Sequence, residues 1–126
     1  MIAQAEQAIY EALSGAEGLS GGVYCGLAPE GAARPYAVFR LASTEAYACG
    51  ANIIGNNYLY AVESYADGES FPHDQAAVIE TALSGYDEMI GELRISITNI
   101  RDLAIADQLN GREIRRSGGI YRVIVR

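Results

Sequence analysis

The sequence contains no tryptophan and no lysine, one histidine, two cysteines and three prolines. Each scarcity excludes something. Cys25 and Cys49 lie far apart among Gly and Ala, with no CxxC pair, so a zinc site built from clustered thiols is excluded. Two inert, reduced thiols are expected, with a bridge between them as the alternative. No apolar run reaches the roughly 18 residues that a membrane-spanning helix needs. The opening Met1-Ile2-Ala3-Gln4-Ala5-Glu6 lacks the basic start and apolar stretch of a signal peptide, which predicts a protein soluble in a cytoplasm. His73 stands alone beside Pro72, and a general base or a zinc site needs partners it does not have nearby in sequence.

What is present is a globular composition, 50% hydrophobic and 20% charged over 126 residues. That length fits one domain spanning residues 1–126. The net charge is −7, unevenly spread. All nine basic residues are arginines. Five of them, Arg112, Arg115, Arg116, Arg122 and Arg126, follow Gly111 with Glu113 as the sole acid, so this end carries +4 and the remainder −11. An acidic body argues against gripping nucleic acid through its phosphates. Arginine in place of lysine suits fixed planar contacts with carboxylates and aromatic rings, although an arginine-rich codon preference yields the same count.

Periodicity predicts a helix over Ile2–Leu13, with Ile2, Ala5, Ile9, Ala12 and Leu13 on one face. A short strand is expected around Val23 and Tyr24, then a loop over Pro29–Arg34. Tyr36–Ala42 and the tyrosine-rich Tyr58–Ala66 read as strands, the latter with rings on both sheet faces. Ser43–Asn57 reads as a long excursion between them, broken by Gly50 and Gly55. A second helix is predicted over Pro72–Ser84, with Gly85 as its stop. Leu93–Leu103 is a further strand, in which Ile100 breaks the alternation and predicts a bulge. Ala104–Gly119 reads as a polar connection, and Ile120–Val125 as a last strand. Strands adjacent in sequence pair antiparallel, so the fold class is α+β, a mainly antiparallel sheet with two helices packed on one face. The expected core is Ile9, Leu13, Val38, Val62, Val78, Leu83, Ile95, Ile97 and Val123.

Nothing in the chain spells out catalysis. No GxxxxGK[ST] phosphate loop and no GxGxxG follows a strand, and no serine sits in a nucleophile elbow. Asp87, Glu88 and Glu92 read as a solvated turn rather than a carboxylate pair. No enzyme, no metal and no cofactor is expected. The functional candidates are contact residues: Tyr47, Ile53 and Ile54 in the first excursion, and Arg112, Arg115 and Arg116 in the second, because loops carried by a rigid sheet serve interaction.

Five segments in order resemble the tail-completion or tail-terminator family of long-tailed bacteriophages. They are "AIYEAL" in the first helix, "RPYAVFRL" at Arg34–Leu41, "YLYAVESYAD" at Tyr58–Asp67, "AAVIETAL" at Ala76–Leu83 and "GGIYRVIVR" at Gly118–Arg126. The resemblance rests on order, spacing and length, and the family has no catalytic motif to carry over. It implies a subunit of a homo-oligomeric ring, a hexamer, that caps the tail tube, ends its polymerisation and joins it to the head connector. The implied partners are other copies of the chain, the tail tube protein and a head-completion or stopper protein. DNA would cross the lumen without specific binding, and the protein would reside in the virion. Another neck or tube component, or a small binding module with a tyrosine-lined pocket, is the competing expectation.

Overall fold

In a computed structural model of the protein, the described residues are 2–16, 18–19, 21–29, 31, 35–49, 52–67, 72–109 and 112–125. Within them, the side chains of 45–49, 52–56, 66–67, 72–75, 103–109 and 112–115 lie outside the description. The elements are α1 (Ile2–Ser14), β1 (Val23–Cys25), β2 (Tyr36–Cys49), β3 (Asn52–Asp67), α2 (Pro72–Leu83), β4 (Asp87–Ile90), β5 (Leu93–Leu109) and β6 (Arg112–Val125). The strands form one six-stranded sheet in the order β1-β2-β3-β6-β5-β4. Every pairing is antiparallel except that of β1 with β2, which is parallel. The α+β class with two helices on one face is the observed one.

The helices form because their apolar residues fall at helical spacing. Ala5, Ala8, Ile9 and Leu13 of α1 and Ile79 and Leu83 of α2 are buried against the sheet. α2 stops where expected. Gly85 adopts φ +81°, a conformation open to glycine without a Cβ penalty, while the Ser84 amide still donates to the Glu80 carbonyl at 2.8 Å. The sheet meets the helices with Phe39, Tyr58, Tyr60, Val62, Ile95, Ile97, Tyr121, Val123 and Val125, all in one buried cluster. Phe39 and Tyr60 pack edge to face at 6.2 Å. Tyr65 points to the other face and stacks on Tyr36 at 5.1 Å, so rings do occupy both sides.

Two core expectations change. Val38 is buried, but on the face away from the helices and outside the main cluster. Val78 is half-buried and packs against the cluster's edge.

Two connections also change. Ser43–Asn57 is not an excursion, because β2 continues to Cys49 and β3 begins at Asn52, paired across Cys49↔Asn52. Nor is Ala104–Gly119 a loop, because β5 runs to Leu109 and β6 starts at Arg112. Both stretches are arms of long hairpins, in which cross-strand backbone bonding stands in for the apolar alternation they lack. The bulge at Ile100 is present, as a register shift between Asn99 and Arg101.

β6 carries the tightest approach. Gly118 sits opposite Glu63 of β3, and a Cβ there would run into the Val62 carbonyl oxygen and lie 2.9 Å from Glu63 Cα. At Gly119 a Cβ would stand 2.7 Å from the Arg101 carbonyl oxygen, at the β5 bulge. The "GG" that resembles a loop signal is therefore an interior strand device.

The core makes two measurable statements. Leu83→Ala or Ile97→Ala should each cost about 2–5 kcal/mol, read as a lower denaturation midpoint, since both side chains are fully buried. The second concerns alkaline pH. Burial, with Asn99 opposing and Glu80 and Asp102 adding, pushes the Tyr121 hydroxyl up to about 12. Burial likewise raises Tyr60, helped by Glu6, Cys25 and Tyr58. In the unfolded chain these phenols titrate near about 10. The folded value is the higher one, so the stabilisation is complete below pH ~10 and lost as pH rises towards ~12. The melting temperature should fall steeply across that window alongside the rise of tyrosinate absorbance, and Tyr121→Phe should make the fall shallower.

Candidate assembly surface

Strand alternation divides the sheet into two unlike faces. One is covered by the helices. The other carries Arg40, Glu63, Tyr65, Arg116, Ile120 and Arg122, as their cross-strand partners require: Val38↔Glu63, Arg40↔Ala61, Tyr65↔Arg116, Ala61↔Ile120 and Leu59↔Arg122. Arg101 opposite Ile120 and Arg94 beside the buried Ile95 belong to it too.

At its centre Glu63 is 2% exposed although no helix covers it. Its Oε1 lies 2.6 Å from Arg40 Nη2 and its Oε2 lies 2.7 Å from Arg116 Nε. The carboxylate is thus clamped between guanidiniums from the two strands that flank β3. At the β4 edge, Asp87 accepts from Arg94 at 2.8 and 2.7 Å and from Ser96 Oγ at 3.2 Å. The acidic run expected to be a turn is in part an edge strand, and only Gly91 and Glu92 turn. Arg101 and Arg122 have no ion-pair partner among the described residues, and Arg122 Nε is buried without a hydrogen bond.

The helical layer has the opposite sign. α1 and α2 contain Glu6, Glu11, Asp74 and Glu80 and no arginine. Glu11 and Glu80 are exposed. Between the helices runs an open groove of about 540 Å³, lined by Ala12, Gly15, Ala16, Ala77, Val78, Thr81 and Ala82. Cys25 is free and exposed at the β1 edge. Slight burial and then Glu6, whose Oε2 lies 3.7 Å from the sulfur, raise its thiol, so it is a poor nucleophile.

The six candidate contact residues do not form one patch. Tyr47, Ile53 and Ile54 lie on the β2–β3 hairpin, with Tyr47↔Gly55 and Ala48↔Ile53 in register. Arg112, Arg115 and Arg116 lie on the β5–β6 hairpin, with Arg112↔Leu109 and Arg115↔Ala106. Along β3, Ile54 and Tyr65, the partner of Arg116, are on the order of 35 Å apart at about 3.3 Å per residue. The side chains of Tyr47, Ile53, Ile54, Arg112 and Arg115 lie outside the described residues. Arg116 is described, and it is not an exposed loop residue: it is half-buried in β6 and committed to Glu63. The residues missed from sequence are Arg40 and Glu63. A charge inside a tyrosine-rich strand was their available signal, since buried charges require partners.

Removing that carboxylate should be costly. Glu63→Gln removes the buried charge and weakens two charge-assisted hydrogen bonds, while water reaches both guanidiniums left behind, so a loss of about 1–3 kcal/mol is expected. Arg40→Met should cost much less, because Arg40 is 47% exposed and water screens it. Urea titration of the two variants decides this; equal and small losses would remove Glu63 from its structural role.

No known family profile matches the chain. No curated protein matches it in sequence. Among solved structures it is similar to a chain described as "Virion of native gene transfer agent (GTA) particle", with a TM-score of 0.63 and 22% identity. The likeness covers 95% of this chain and 92% of that one, so the two share a fold over essentially their whole lengths.

Proposed function

We propose that this chain is a non-catalytic structural subunit of a phage-like virion, acting as one domain in a homo-oligomeric ring at the end of a tail tube. The observation that carries the reading is the full-length likeness in fold to a chain of a gene transfer agent virion. The ordered resemblance to tail-terminator proteins narrows it to a ring of six that ends tube growth and meets the head connector. Opposite charges on two sides of the subunit support it as well. Unlike surfaces that attract make head-to-tail contacts, which close into rings when the rotation permits.

In this reading the partners are further copies of the chain, the tube protein and a head-completion protein. The two hairpins reach in opposite directions along β3, towards separate neighbours. Tyr47, Ile53 and Ile54 serve one end, and Arg112 and Arg115 the other. A net charge of −7 suits a channel through which DNA passes without being held.

Purified protein should show a mass in solution six times that of one chain, and ring-shaped particles in negative stain. Particles assembled without it should carry tails of irregular length. A protein that stays monomeric alone and with tube subunits, and is missing from the tube end in virions, would sink the reading.

A further inference from the structure

We infer that neighbouring copies join by seating the acidic helical layer of one on the basic, helix-free sheet face of the next. This rests on the homo-oligomeric reading above and names its interface. Charge complementarity carries it. The helices present exposed Glu11 and Glu80 with no arginine among them. The opposite face presents Arg101 and Arg122, the two guanidiniums there that no carboxylate among the described residues neutralises.

Shape and polarity agree with charge. Arg122 stands among half-buried aliphatic side chains, Leu59 and Ile124, on a face that also holds Ile120. Arginine among aliphatic and tyrosyl side chains is the composition of an interface core and not of a solvated surface. The helical layer offers the matching relief. Its groove is lined by small residues, and Glu11 and Glu80 adjoin Ala12 and Thr81 on its two walls. In the inferred contact, a branched aliphatic side chain from the sheet face enters the groove between the helices while Glu11 and Glu80 meet the arginines. The two surfaces lie on opposite sides of the subunit, so the contact is heterologous and propagates from copy to copy.

Nucleic acid is the weaker occupant of the same face. Arg94 is already held by Asp87, and Arg40 and Arg116 share Glu63. Two unspent cations do not match a duplex that carries one charge per about 1.7 Å.

The test uses two double variants of the full chain. One reverses the sheet face, Arg101→Glu with Arg122→Glu. The other reverses the helical layer, Glu11→Arg with Glu80→Arg. Each alone should lose the oligomer at protein concentrations where the wild type forms it while keeping its circular dichroism, and Arg101→Glu by itself, at an exposed position, should weaken the oligomer with the melting transition unchanged. Mixed one to one, they should regain it. Reversed sheet then meets reversed helix at one junction and native meets native at the next, giving alternating rings with an even number of subunits. Light scattering and native mass spectrometry read both results.

Several outcomes overturn the inference. If both variants assemble like the wild type, the interface lies elsewhere, and the ring reading stands. If both dissociate but the mixture does not reassemble, the two faces do not meet each other. If the wild type binds duplex DNA and the arginine reversal abolishes that binding without changing the mass, the face belongs to nucleic acid. A wild type that is monomeric by itself and with tube subunits instead fails the ring reading, and the interface with it.

Discussion

A strand fits between β3 and β5 here only because it carries no side chain at positions 118 and 119. A Cβ at Gly118 would meet the β3 backbone, and one at Gly119 would meet the β5 backbone at its bulge. Much else depends on that pair. It lets Tyr121, Val123 and Val125 line up under the helices in the same register in which Arg116 reaches Glu63. Both layers of the molecule, the apolar one and the ionic one, hang on the same few ångströms of strand spacing. The bulge at Asn99–Arg101 fits this picture, because the extra residue re-aims β5 where it passes the glycines.

The consequence for electrostatics is a subunit with two sides of opposite character. Glu63 draws Arg40 and Arg116 inward and leaves Arg101 and Arg122 unspent. On the helices, Glu11 and Glu80 stay exposed. Net charge, −7 for the chain, hides this arrangement entirely. An acidic protein with a basic sheet face has two unlike sides, and the proposed head-to-tail contact draws on that difference.

Local signals accounted for a good deal. The helical periods of Ile9–Leu13 and Ile79–Leu83, the stop at Gly85, the bulge around Ile100 and the tyrosines on both faces of β3 were all legible from residue spacing. So were the α+β class and nearly all of the core. The hairpin arms were not. Ser43–Asn57 and Ala104–Gly119 are polar, small or glycine-bearing, and each reads locally as a breaker. Their strands form because a partner strand is already in place, which is long-range information.

What the sequence determined by itself was the set of elements that bury an apolar stripe, since burial of such a stripe needs only its own period to be recognised. What the tertiary structure alone decided was which charges meet. Arg40, Glu63 and Arg116 come from three strands, separated by more than 20 residues in the chain between Arg40 and Glu63, and no spacing rule relates them. The assignment of Arg116 to an ion pair with Glu63, of Arg101 to an exposed position and of Arg122 to a half-buried one on the same face follows from strand register. Register is set by backbone pairing and by the two glycines that permit it, and neither leaves a trace in the charge pattern read along the chain.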